Sequence, residues 1–305
     1  MSILVKVLIG FGVFVLVAGG GIWLFWEQLP IRLILPYITK PEIPITGEVH
    51  KVTITGETAG NQTFFVYLPE GYEAGNQRYR VLYHLHGAGV QESWAGYDCN
   101  GVGGKMDEAV DAGIIEPMII VCPVDPTKFS MWSDSKDGKI LASSAIIHDI
   151  IPYVDETYRT IDAKEGRVIQ GFSMGGFGSA MNGFKYHDMF NAIIIWDGAL
   201  HDWNTLSTNR AGIARTMFSN DQAHFDQWSP WTWAERSAKT DIDLFMIVGT
   251  MGATRDFASR YKPFLESIGK EFIYHDSTCP HNLFCMLDEY GEDAFRFIAK
   301  SFADN

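Results

Sequence analysis

The feature that most limits the fold is a series of short apolar runs, "RVLYHLH", "PMIIVCP", "RVIQG", "NAIIIW" and "DLFMIVG". Strands with one face in water alternate apolar and polar residues. Near-continuous apolar runs are expected where helices cover both faces of a parallel sheet. Two earlier runs, "HKVTIT" and "TFFVYLP", alternate more and are joined by "GETAGNQ", which predicts an antiparallel pair at the start. A last run, "KEFIYHD", precedes the C-terminal segment. Helical spacing fills the gaps between the later runs. Ile146, Ile147, Ile150, Val154 and Tyr158 share one face of "ASSAIIHDIIPYVDETYR". Phe257, Tyr261, Phe264 and Leu265 do the same in "DFASRYKPFLESIG", with Gly269 as its stop. The expected class is α/β, with a mostly parallel central sheet flanked by helices and an antiparallel entry.

The first residues have a different character. From Val7 to Trp26 there is no charged residue, about the ~20 needed to span a bilayer as a helix. Trp23 and Trp26 stand at the far end, where aromatic side chains favour the interface. A cleaved signal peptide is the alternative, with Ala18-Gly19-Gly20 as small residues, although the apolar run continues past them to Phe25. The expected organisation is a transmembrane or signal-anchor segment over 1–28, a proline-bearing linker over 29–48, and the α/β domain over 49–305. The body is then extracytoplasmic, membrane-anchored, or secreted or periplasmic if the segment is cleaved. A net charge of −13 spread along 305 residues excludes nucleic acid as an expected partner.

Chemistry concentrates in "GRVIQGFSMGGFGSAMNG", Gly166–Gly183. An apolar strand runs into a serine bracketed by glycines, and small helix-compatible residues follow. Such a turn strains the central residue and requires small neighbours, which Gly171, Gly175 and Gly176 provide. It lifts the Ser173 hydroxyl over the sheet at the positive end of a helix, with the Met174 amide beside it. The plain alternative is a glycine-rich turn with a capping serine. A hydroxyl becomes a useful nucleophile only beside a base that an acid orients. In this architecture the order is serine, acid, histidine. Asp256, between the strand "DLFMIVG" and the next helix, is the first choice of acid, and helix capping is its plain alternative. Asp197, in "IIIWDGALHD", is the second choice. His281 follows the last strand and is the expected base. The turn His86-Gly87-Ala88-Gly89 ends a strand and offers the second oxyanion amide, assigned to Ala88 beside Met174.

Other residues have plainer readings. His84 and His86 alternate on a strand face and could ligate a metal, but no third ligand is apparent. His275 reads as structural. Cys122 reads as a small buried apolar residue. Cys279 and Cys285 flank His281 and suit a local disulfide in an oxidising compartment, a pairing that spacing alone leaves open. Trp94, Trp132, Trp196, Trp203, Trp228, Trp231 and Trp233 either roof the site or pack loops onto the sheet.

On "YHLHGAG", "IIHDIIPYVDETYRTIDAKEGRVIQGFSMGGFGSA", "WSPWTWAERSAKTDIDLFMIVGT" and the late "CPH", the chain resembles the esterase D, feruloyl esterase and mycolyltransferase-like branch of the α/β-hydrolases. The resemblance covers about Val52 to Phe302. It implies an α/β-hydrolase fold and a serine carboxylic-ester hydrolase that works through an acyl-enzyme. By position it places the nucleophile on Ser173, the acid on Asp256, the base on His281 and the oxyanion donors on Met174 and Ala88. Two departures stand out: "GTMGATRD" is a longer loop before the acid, and "STCPH" replaces glycine-glycine-His. No cofactor or metal is implied, and the expected substrate is a small or carbohydrate-linked ester. An acyltransferase and a non-catalytic binding protein on the same fold are the alternatives.

Overall fold

A computed structural model describes residues 42–250 and 253–303. The span 1–28 and most of the 29–48 linker therefore lie outside the described residues. Among the described residues no helix is long and apolar enough to cross a membrane.

One eight-stranded sheet organises the unit that runs from Ile43 onward. Its members in chain order are β1 (Glu48–Gly56), β2 (Gly60–Leu68), β3 (Arg80–Leu85), β4 (Met118–Pro123), β5 (Arg167–Phe172), β6 (Ala192–Trp196), β7 (Asp243–Gly249) and β8 (Ile273–Ser277). In space the order is β1-β2-β4-β3-β5-β6-β7-β8. β1 pairs antiparallel with β2, and β2 antiparallel with β4, while every pair from β4 to β8 is parallel. All eight apolar runs singled out in the sequence are strands, and the antiparallel pair is where the alternating pattern put it.

Nine helices among the described residues matter here: α1 (Glu92–Asp111), α2 (Ile151–Thr157), α3 (Met174–Lys185), α4 (Trp203–Asn209), α5 (Ala211–Phe218), α6 (Gln222–Asp226), α7 (Pro230–Arg236), α8 (Ala253–Ser267) and α9 (Leu283–Ala303). Successive strand side chains point to opposite faces, so each central strand feeds two cores. Val81, Tyr83, Ile169, Ile193, Ile195 and Met246 pack with Phe177 and Met181 of α3, Phe218 of α5 and Tyr261 of α8. Leu82, Ile120, Val168, Ile194, Phe245 and Ile247 pack with Val102 and Met106 of α1 and Met286 and Phe295 of α9. This two-sided burial is the physical reason those runs carry no polar alternation.

The amphipathic segment before α2 has a π-helical turn, Ala145–Ile150. Ile146, Ile147, Ile150 and Val154 are buried as their spacing predicts. Asp149 is buried among them because its carboxylate accepts the Thr58 (3.0 Å) and Ala59 (2.8 Å) amides of the β1–β2 turn. Two disulfides are present, Cys99–Cys122 and Cys279–Cys285. Cys122 is thus buried as expected, but it is also a crosslink from β4 to α1.

Candidate active site

β5 ends at Phe172 and α3 begins at Met174, so Ser173 alone makes the turn, with φ +58 and ψ −115. A non-glycine residue at positive φ costs on the order of 1–3 kcal/mol, and such outliers persist only where surroundings enforce them. Three backbone hydrogen bonds do so. Ser173 N–H donates to Trp196 C=O (3.0 Å), and Ser173 C=O accepts from Phe177 N–H (3.2 Å) and Ala199 N–H (2.8 Å). The glycines are sterically required. A Cβ on Gly175 would lie 1.8 Å from Leu85 O, and one on Gly171 would lie 2.2 Å from Gly175 O.

His281 is carried by the segment between β8 and α9. Its Nε2 is 2.9 Å from Ser173 Oγ and its Nδ1 is 2.5 Å from Asp197 Oδ2. A carboxylate only accepts, so Nδ1 bears the ring proton and Nε2 is left to accept from the serine hydroxyl. The imidazole stacks on the Phe172 ring, with centroids 4.5 Å apart and planes at 28°. The Cys279–Cys285 disulfide closes the six-residue span around His281. Glu289 of α9 holds the entry to this span, accepting from Ser277 Oγ (2.6 Å) and Thr278 N–H (3.1 Å).

The structure places a different carboxylate beside His281 from the first choice made on the sequence. Asp256 lies in the first turn of α8 with its side chain exposed, a position that complements the helix dipole. The carboxylate on His281 belongs to Asp197, the second choice. Asp197 directly follows β6, has φ +46 and is fully buried. Its N–H donates to Ile247 C=O (2.7 Å), and its Oδ1 accepts Gly249 N–H (3.0 Å). The reason is register. Phe172 pairs with Trp196 across β5 and β6, so the next residue on each strand is Ser173 and Asp197. After β7 the chain instead runs through Thr250 and on into α8, carrying Asp256 seven positions past Gly249. Gly249 also keeps a gap open: a Cβ there would be 3.2 Å from Asp197 Oδ2 and 3.1 Å from Cys279 O.

Met174 is the first residue of α3, and the first amides of a helix have no partner within it. Gly87 lies against Ser173, since a Cβ on it would be 3.4 Å from Ser173 Cβ, and Ala88 beyond it is exposed. The two expected oxyanion donors therefore belong to elements that meet at Ser173.

The remaining candidates take structural parts. His84 Nδ1 accepts from Gln170 (3.2 Å), which in turn accepts from the Trp196 indole (2.9 Å). Burial pushes the His84 pKa down to about 3, so the ring stays neutral. No group of three or more His, Cys, Asp or Glu among the described residues is placed to hold a metal. His275 lies between the Phe245 and Tyr290 rings, tilted against each. Four of the tryptophans are packed into the domain: Trp132 and Trp196 are buried, Trp203 lies on Phe225, and Trp231 lies on Tyr261.

A serine at a tight turn between the fifth strand of a mostly parallel sheet and the next helix, with a histidine after the last strand, is the layout of the α/β-hydrolase fold. The chain belongs to the family described as "Putative esterase", which matches residues 55–261. Among proteins of similar sequence is an endo-1,4-beta-xylanase/feruloyl esterase of Xylanibacter ruminicola, 33% identical over 160 residues, covering 47% of this chain and 20% of that one. Another is an esterase of Mycobacterium tuberculosis, 32% identical over 128 residues, covering 41% of this chain and 26% of that one. The aligned parts are thus about a fifth to a quarter of those relatives' own length. Among solved structures, a ferulic acid esterase superposes with TM-score 0.71 at 19% identity, covering 85% of this chain and all of that one. An S-formylglutathione hydrolase from Agrobacterium tumefaciens gives TM-score 0.69 at 14% identity, covering 86% and 98%.

Proposed function

We propose that this protein is a serine carboxylic-ester hydrolase whose charge-oriented dyad is completed by Asp197. The observation that carries the reading is the continuous hydrogen-bonded line from Ser173 Oγ through His281 to the buried Asp197 carboxylate. His281 Nε2 takes the hydroxyl proton as Ser173 Oγ bonds to the ester carbonyl carbon. The carbonyl π electrons move to its oxygen, which the amides of Met174 and Ala88 receive. The imidazolium formed beside a fully buried carboxylate is stabilised in place, the part an acid has in such a triad. Collapse of the intermediate breaks the bond to the alcohol, which leaves with the proton from Nε2. Water then enters by the same steps and releases the acid and Ser173.

The substrate class proposed is esters of aromatic acids, on two grounds. Relatives of this fold are named feruloyl or ferulic acid esterases, and one solved feruloyl esterase module is complexed with sinapinate. In this chain Phe129 is half exposed, and its ring tip would be 3.8 Å from a Cβ on Gly89, beside the oxyanion turn. An aromatic face at that place suits a flat acyl group. The reading of residues 7–26 as a membrane anchor is part of the same proposal, and retention of the full chain in a washed membrane fraction tests it.

The test of function is turnover of p-nitrophenyl butyrate and methyl ferulate by the full chain and by Ser173→Ala. Loss of about 10⁶-fold in kcat with folding intact is expected. A fluorophosphonate probe should label Ser173 and no other serine. Turnover that survives Ser173→Ala contradicts the reading.

A further inference from the structure

The turn that supplies Ala88 is clamped from one neighbouring segment, Asp125–Trp132, just after β4. Asp125 N–H donates to His86 Nε2 at 3.0 Å. A ring nitrogen that accepts carries no proton, so the single proton of neutral His86 is on Nδ1. That nitrogen donates to Gly87 C=O at 2.8 Å. The Trp132 indole N–H donates to the carbonyl of His86 itself (3.1 Å), and the two rings meet edge to face at 4.9 Å. On the far side of the turn, Gly89 N–H donates to Lys128 C=O (2.8 Å). The clamp is itself braced. The Asp125 carboxylate accepts Thr127 N–H (2.9 Å), Thr127 Oγ–H (2.8 Å) and Ser130 N–H (2.9 Å). Lys128, Met131 and Trp132 all have positive φ, which is backbone that only a well-determined surrounding holds.

A trans peptide is planar, with its C=O and N–H directed oppositely. Holding Gly87 O on a buried imidazole therefore directs Ala88 N–H away from that ring. Gly87 lies against Ser173. We infer that His86 is a positioning residue: clamped by Asp125–Trp132, it orients the Gly87–Ala88 peptide so that Ala88 N–H meets the oxyanion forming on the Ser173-bound carbon. The inference rests on the proposed ester hydrolysis and adds a residue to it. Donors fixed before the reaction need no reorganisation during it, which is the source of their effect. His86 touches no substrate and transfers no proton. Burial lowers its pKa, with the Gly87 carbonyl and Asp125 opposing, and acceptance of Asp125 N–H at Nε2 needs the neutral ring. The charged or titratable neighbours are His84, two residues earlier on β3, and Asp125 on the clamp.

The test uses the full chain with p-nitrophenyl butyrate, and phenylboronic acid as a probe that forms a tetrahedral adduct on serine. His86→Phe keeps a ring and removes the donor. It should lower kcat about 30- to 100-fold with KM changed less than about twofold, and weaken phenylboronic acid in parallel. His86→Asn returns an N–H near the place of Nδ1 and should recover to within about tenfold of the parent, whereas His86→Gln, whose amide reaches the place of Nε2, should not. If His86→Phe does not fold, the ranking of Asn above Gln carries the test. An unchanged kcat in His86→Phe, an Asn variant no better than Gln, or a kcat loss without weaker boronate binding each overturns the inference. Absence of Ser173-dependent turnover in the parent chain overturns the hydrolase reading itself, a distinguishable result.

Discussion

Two aspartates follow adjacent strands at the same edge of the sheet, and their surroundings differ at every level. Asp197 comes one residue after β6, at φ +46, fully buried, with its amide on Ile247 and its carboxylate shared between Gly249 N–H and His281. Asp256 comes seven residues after Gly249, already wound into α8 and exposed. The register of β5 with β6 leaves the Asp197 carboxylate immobile and dry next to an imidazole in a single step. A carboxylate on a helix turn in water is neither, whatever its order in the chain.

The largest effect that could break this comparison is at the imidazole's partner. Asp197→Asn should lower kcat by about 10³- to 10⁴-fold on p-nitrophenyl butyrate, because an amide there no longer fixes the tautomer or stabilises the imidazolium. Next in size is the span that brings His281 to Asp197. Replacing Cys279 and Cys285 together with Ser removes a crosslink worth about 2 kcal/mol in the unfolded chain. Urea unfolding should reflect that loss, and kcat should fall about tenfold as the ring gains freedom.

A third effect is pH-dependent and singles out the segment that follows Asp197. His201 is buried against Phe257, with Thr205, Asp202, Arg210 and Arg260 around it, and burial lowers its pKa to about 4. Its unfolded value is near 6.5, so the unfolded chain binds the extra proton between pH 6.5 and 4. Stability contributed by the neutral ring is therefore complete above pH 6.5 and lost as pH falls through that window, at up to about 1.4 kcal/mol per pH unit. Urea midpoints of the parent and His201→Gln between pH 7 and 4 measure it, and the variant should show the shallower dependence. The smallest effect is Asp256→Asn, expected to change kcat by less than about twofold, with at most a few tenths of a kcal/mol lost from the α8 dipole.

The same contrast explains what was legible beforehand. Period and turn chemistry act locally, so the eight strands, the glycine-bracketed elbow at Ser173 and the histidine after the last strand could be read from the residues. Which carboxylate meets the imidazole could not, because order along the chain places both Asp197 and Asp256 between serine and histidine. Only the register Phe172–Trp196 and the path of the chain after Gly249 separate them. The helices α4 to α7 went unread because each is only five to eight residues long, too short for an apolar period to stand out. Cys99–Cys122 joins residues 23 apart with no spacing motif, so the crosslink was invisible beside an apolar strand. The work of His86 was hidden for a related reason. A histidine before a glycine suggests a ligand or a base, and only the bonds from Asp125 and to Gly87 assign each ring nitrogen.

The most direct measurement is kcat/KM for Asp197→Asn and Asp256→Asn side by side on one ester, with unfolding midpoints confirming that both variants are folded. A loss of about a thousandfold or more in the first, and none beyond about twofold in the second, is the expected result. Activity retained by Asp197→Asn and lost by Asp256→Asn would contradict the account, because the imidazole would then draw on a carboxylate that this arrangement leaves in solvent.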